Sequence, residues 1–261
     1  MRALLITRQR TGSGALGTIL HRNPDLFYAG EVLHPTDGKN ELNFYTYLNA
    51  HPDQALHFAN PNTRVGAIKQ YLTHLQEKTS PRGLVLDIKY NALHQWNQGW
   101  QGILGRPWVL GHARQHNIPI LHLRRRNYVA TFVSGRLAEQ NKVWHTSKAE
   151  ALNIHSINVP TKDLRGFLNI CVREATLITE WLANYSNVLT LEYEDMLDET
   201  GNMPESTATE LATFLGVVPF TARNSVFIKQ APAKLSDSIE NFEEVALSLR
   251  DTEFSWMMRT G

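Results

Sequence analysis

Apolar positions along the chain follow two rhythms. Short unbroken apolar runs alternate with longer stretches in which apolar residues recur every three or four positions. The runs are Ala3 to Ile6, Leu26 to Ala29, Gly83 to Ile88, Ile118 to Leu123 and Val188 to Leu191. Each predicts a buried strand. The periodic stretches predict helices over Ala15 to Leu20, 41 to 50, 62 to 78, Pro107 to about His116, Tyr128 to about Glu139, Lys162 to about Asn184, Glu205 to Leu215 and Asp237 to Leu249. Within 62 to 78, for example, Val65, Ile68, Leu72 and Leu75 share one face. Residues 94 to 106, rich in Trp, Gln and Gly, predict a surface loop or short helix. Residues 141 to 160 have no period and predict a long loop of the kind that serves as a lid or binding segment. Strands alternating with helices predict an α/β fold with a parallel central sheet covered by helices on both faces, a three-layer arrangement. No repeat, low-complexity tract or linker interrupts residues 1 to 261, which predicts one domain.

In such sheets ligands bind beyond the carboxyl ends of the strands. Those ends carry Arg8 and Arg10, Glu31, Lys89, Arg124 to Arg126, and Glu192. The first is also glycine-rich: Arg8-Gln9-Arg10-Thr11-Gly12-Ser13-Gly14-Ala15 joins the first strand to the first helix. Strand, glycine loop and helix make an anion site, because backbone N–H groups converge at the positive end of the helix. Three motif frames compete there. Gly12, Gly14 and Gly17 fit the dinucleotide fingerprint with Glu31 downstream, which points to an NAD(P)-dependent oxidoreductase. However, four polar residues separate Thr7 from the first glycine. Gly12 and Gly17 fit the frame of a nucleoside triphosphate loop, but Thr18 and Ile19 stand where Lys and a magnesium-binding hydroxyl belong. The third frame puts the key cation earlier, at Arg10.

Composition narrows the partners. A net charge of +1 gives no general attraction to nucleic acid, so any basic site is local. The single cysteine, Cys171, excludes an internal disulfide and a cysteine metal cluster, and its helical apolar surroundings predict a buried small hydrophobe. No metal-ligand spacing is evident. No apolar stretch reaches the roughly 18 residues of a membrane span. The first strand starts too early to follow a signal peptide, which predicts a cytoplasmic protein.

A second basic cluster, Arg124-Arg125-Arg126, ends the fourth strand, and Ser134 follows Arg126 by about two helical turns. Guanidinium binds phosphate bidentately. Two anion sites at two strand ends suit a nucleotide phosphorylated at both ends. On these paired motifs the chain resembles sulfotransferases that use 3′-phosphoadenosine 5′-phosphosulfate (PAPS), in particular the bacterial, carbohydrate and trehalose-type branch. The resemblance implies the P-loop-type three-layer fold. It assigns Arg10, Thr11, Gly12, Ser13, Gly14 and Ala15 to the 5′-phosphosulfate. It assigns Arg126 and Ser134 to the 3′-phosphate, and Lys229 and Gln230 to a later nucleotide-binding segment. Gly30-Glu31 and His34-Pro35 resemble the segment carrying the acceptor-side base, with Glu31 ahead of His34. Many members have Lys where this chain has Arg10, a cation that cannot give up a proton at neutral pH. The implied acceptor is a hydroxyl of a carbohydrate or glycolipid, and Trp144-His145 or the Trp-rich stretch could stack on it. The implied chemistry needs no metal. A non-catalytic nucleotide-binding module stays open beside the enzyme, and the sequence leaves a homodimer open.

Overall fold

The computed structural model describes residues 1–35, 40–97, 102, 105–144, 153–198, 200–226 and 234–259. It falls into two compact units, one of residues 1–124 and 181–224, the other of residues 125–180 and 225–261.

The first unit holds the sheet. Its strands are β1 (Ala3–Thr7), β2 (Leu26–Glu31), β3 (Gly83–Lys89), β4 (Ile120–Arg124) and β5 (Val188–Glu192), all parallel, in the order β2-β3-β1-β4-β5. Helices α1 (Ser13–Arg22), α2 (Phe44–Ala50), α3 (Pro52–Ala59), α4 (Arg64–Thr79) and α5 (Trp108–Gln115) lie between the first four strands. The fold is therefore α/β with a parallel central sheet flanked by helices, and all five predicted strands are present. On one sheet face Leu16, Ile19 and Leu20 of α1 pack with Val85, Leu121 and Leu123 of the strands and with the later helix over Glu205–Leu215. Each fully buried Leu or Ile contributes about 1.5–3 kcal/mol.

Local chemistry sets the helix ends. Asn43 caps α2, its side chain accepting from the N–H groups of Tyr45 and Thr46, so the helix starts three residues later than the period suggests. Helix α3 was not foreseen. Pro52 in its first turn and Asp53 beside it are the start signals that its polar composition obscured. Trp96 is buried against Phe44, Tyr71 and Trp108, so the Trp-rich stretch begins inside the unit rather than on its surface.

The second unit is helical: α6 (Tyr128–Asn141), most of α7 (Thr161–Leu182), a short α10 (Leu235–Ser238) and α11 (Phe242–Leu249), with a 3-10 turn at Ser255–Met258. The intervening labels α8 (Tyr193–Met196) and α9 (Glu205–Leu215) belong to the first unit. Val133 and Leu137 of α6, Leu164 and Leu168 of α7, and Val245 and Leu249 of α11 form its core. Cys171 is buried as predicted. The helix predicted over 237 to 249 is broken in two. Ile239 pairs with Ile157 in an isolated parallel bridge, and the Asn241 side chain bonds both the N–H and the C=O of Val159. The Ser238 carbonyl and the Glu240 N–H bond Ile157 across that bridge instead of continuing a helix. The predicted 141–160 loop thus has an anchored end, while residues 145–152 lie outside the described residues.

Candidate functional site

The sheet order fixes where a site belongs. The connection from β1 leads toward β2 on one side, and the connection from β4 leads toward β5 on the other. β1 and β4 are neighbours, so the connections diverge beyond their carboxyl ends, the switch-point position for ligands in open α/β sheets. The loop after β1 is the glycine-rich one.

That loop is held by its own hydroxyls. Thr11 Oγ1 donates to the Arg8 carbonyl at 2.5 Å and pairs with the Thr7 hydroxyl. Thr11 is buried, so its side chain stabilises the loop from within. Arg10 has φ 63° and Gly12 φ 86°. A left-handed arginine costs roughly 1–3 kcal/mol, and such outliers concentrate at ligand sites. Gly12 is the N-cap of α1, so Ser13, Gly14 and Ala15 are its first three residues, and the first intrahelical bond runs from the Leu16 N–H to the Gly12 carbonyl. The helix has no side-chain cap and no acidic residue in its first turn. Its N–H groups and positive end are thus left to an outside acceptor. Gly17 lies inside α1, so neither triphosphate-type frame nor a loop running to Gly17 exists. Gly17 instead makes room for the Tyr28 ring, which a Cβ there would strike.

Lys89 brings the distant candidates together. It ends β3 and is only 4% exposed. Its ammonium donates to Ser13 Oγ at 2.6 Å and to Asp87 Oδ2 at 2.7 Å, and it lies 3.3 Å from Glu31 Oε1. Asp87, fully buried, also accepts from the Tyr28 hydroxyl at 2.7 Å. Burial first, and then the Asp87 carboxylate, push the Tyr28 phenol well above its ordinary range, so it remains a donor. Glu31 reaches this group because of a bulge. Tyr28 pairs with Val85 while Glu31 pairs with Asp87, three residues against two, with Gly30 at φ 72° between them. The extra residue turns Glu31 to the same face as Tyr28, Asp87 and Lys89. A regular strand would have aimed it at the opposite face.

Other candidates lie elsewhere. His34 follows Glu31 in a turn closed by its own N–H, and its ring is exposed. Arg124 pairs with Glu192 across β4 and β5 at 3.2 Å. Arg126 and Ser134 belong to the second unit. Arg126 is exposed just before the N-cap Asn127, and Ser134 is buried about two turns along α6. Lys229, Gln230 and His145 lie outside the described residues. Among the described residues no group of three or more His, Cys, Asp or Glu is arranged to hold a metal, and no helix is long and apolar enough to cross a membrane.

Comparison with family models and with curated proteins finds no match for the chain.

Two further groups escaped the sequence reading. His122 is buried in β4 and bonds the Tyr90 hydroxyl at 2.6 Å. Burial and then the Arg124 charge lower its pKa to about 3, so the ring is neutral. Asp87 was the other. The signal for it was present: Asp87 and Lys89, two apart in an otherwise apolar strand, point to one face.

Proposed function

We propose that the chain is a PAPS-dependent sulfotransferase acting on a hydroxyl of a carbohydrate or glycolipid, in the cytoplasm. The observation that carries the reading is the Lys89 ammonium. It joins Ser13, at the start of the uncapped helix, to Glu31, so the phosphate-type loop and the acceptor-side carboxylate surround one cation. The loop fits a phosphosulfate: its helix end is free of acidic residues and its N-cap glycine is left-handed.

The donor supplies an activated sulfuryl group attached to a phosphate oxygen. Transfer forms a bond from the acceptor oxygen to sulfur and breaks the bond from sulfur to that bridging oxygen. The acceptor proton passes to Glu31, and adenosine 3′,5′-bisphosphate departs with the new negative charge. Arg10 and the N–H groups of Ser13, Gly14 and Ala15 would stabilise that charge, the preorganised electrostatic role that dominates such reactions. Arg126 and Ser134 are proposed for the 3′-phosphate.

The rival oxidoreductase reading is weakened by the sheet order. The dinucleotide fold sets β2 beside β1, which brings the acidic residue at the end of β2 to the ribose. Here β3 separates β1 from β2, and Glu31 is held by Lys89.

The test is transfer of ³⁵S from labelled donor to a panel of sugar and glycolipid acceptors. Glu31→Gln should lower turnover by roughly 10²–10⁴-fold, the usual worth of a general base. Bisphosphate binding with no transfer to any acceptor, in wild type and variant alike, would favour the non-catalytic binding module.

A further inference from the structure

We infer that Lys89 is a positioning residue that couples occupation of the loop to release of the Glu31 carboxylate. The functional meaning of that release rests on the sulfotransferase reading, but the coupling itself does not. An ammonium has three N–H donors, and Lys89 meets three oxygens, on Ser13, Asp87 and Glu31. A phosphate-like anion settling on the N–H groups of Ser13, Gly14 and Ala15 attracts the same ammonium. One of the three contacts has to give way.

The three are unequal. Losing Asp87 would strand a fully buried carboxylate, which is strongly unfavourable. Ser13 stands at the anion's own position, so its contact and the new one point the same way. Glu31 makes the longest contact, and its side chain is 30% exposed, so water can take the place of lysine there. The Lys89–Glu31 contact is therefore the one that yields. With the loop empty, Glu31 is engaged by lysine. With the loop filled, the carboxylate is set free in the same event that brings the donor. Linkage requires the converse: the charge on Glu31 opposes anion binding by an equal factor.

The experiment is a binding cycle with two probes, adenosine 3′,5′-bisphosphate and inorganic phosphate. The proteins are wild type, Glu31→Gln, the pair Asp87→Asn with Lys89→Met, and the combination of all three. The pair is used because Lys89→Met alone leaves a buried unpaired carboxylate. Glu31→Gln should tighten both probes roughly two- to fivefold, the range of a partly exposed charge pair. In the background without lysine that gain should vanish. Simple repulsion between Glu31 and the anion predicts the opposite, a gain that persists or grows once the ammonium no longer screens it. A persisting gain, or no change on Glu31→Gln in the native background, overturns the coupling and leaves the sulfotransferase reading standing. Binding of phosphate but not of the bisphosphate overturns the sulfotransferase reading, and the phosphate cycle then decides the coupling. Binding of neither probe overturns both.

Discussion

Gly12 and Gly30 form a matched pair for measuring what the loop requires of its glycine. Both are left-handed, at φ 86° and 72°. An alanine there costs about 1–2 kcal/mol in backbone strain, partly offset by about 0.4–1 kcal/mol from the narrower unfolded ensemble. A Cβ at Gly30 meets nothing within 4 Å, so Gly30→Ala should lose about 1 kcal/mol. A Cβ at Gly12 strikes the Tyr193 ring, which packs against the core formed by α1 and α9. Overpacking of that kind adds about 1–3 kcal/mol, for a total of about 2–4 kcal/mol. On a Tyr193→Ala background the obstacle is gone, and the cost of Gly12→Ala should fall back to about 1 kcal/mol. Urea unfolding followed by circular dichroism gives each difference, provided the slope with denaturant is unchanged. Equal losses at the two glycines, or a Gly12 cost that survives removal of the Tyr193 ring, would refute the account of how the loop is built.

Two other outcomes are expected. Arg126→Ala should leave stability within about 0.5 kcal/mol, because the residue is exposed, yet weaken adenosine 3′,5′-bisphosphate binding about ten- to hundredfold in calorimetric titration. Acid should destabilise the fold through His122: its pKa is about 3 when folded and near 6.5 when unfolded, so below pH 6.5 the unfolded chain takes up a proton that the folded chain refuses. Stability should fall by up to about 1.4 kcal/mol per pH unit from this group as pH drops from 6.5 toward 4, with His112 acting in the same direction, and His122→Gln should flatten the slope in urea titrations.

The strands were legible because each is a short apolar run bounded by polar residues, the only signature that the buried inner strands β1, β3 and β4 leave, while the edge strands β2 and β5 are only partly buried. Their order was not legible, since nothing in β3 announces that it lies between β1 and β2. The loop was legible from Arg10, Gly12 and Ser13. Its frame was not, because the start of a helix depends on which residue adopts the left-handed cap. Glu31 was found as a strand-end carboxylate, but the bulge that aims it was hidden in the pairing with β3. Lys89 could not be weighed without Ser13 and Glu31, which come from α1 and β2 and join Asp87 of its own strand. Helix α3 was missed because its polar composition obscured its local start signals, whereas the break at 239–241 depends on contacts with Ile157 and Val159, some eighty residues away in the chain.

The division of the chain has a kinetic consequence. After Arg124 the polypeptide leaves the sheet unit and returns only at Trp181, so β4 emerges from the ribosome about sixty residues before its partner β5. At typical synthesis rates of about 5–20 residues per second, that is a wait of roughly 3–12 s. Throughout it, β4 presents an unpaired edge of Ile120, Leu121 and Leu123, the kind of apolar template that recruits other chains. The Arg124–Glu192 pair closes the far end of that edge only when β5 arrives. A nascent chain stalled anywhere in the inserted segment is therefore most prone to aggregate at β4, and the last strand to be made is the one that seals the sheet.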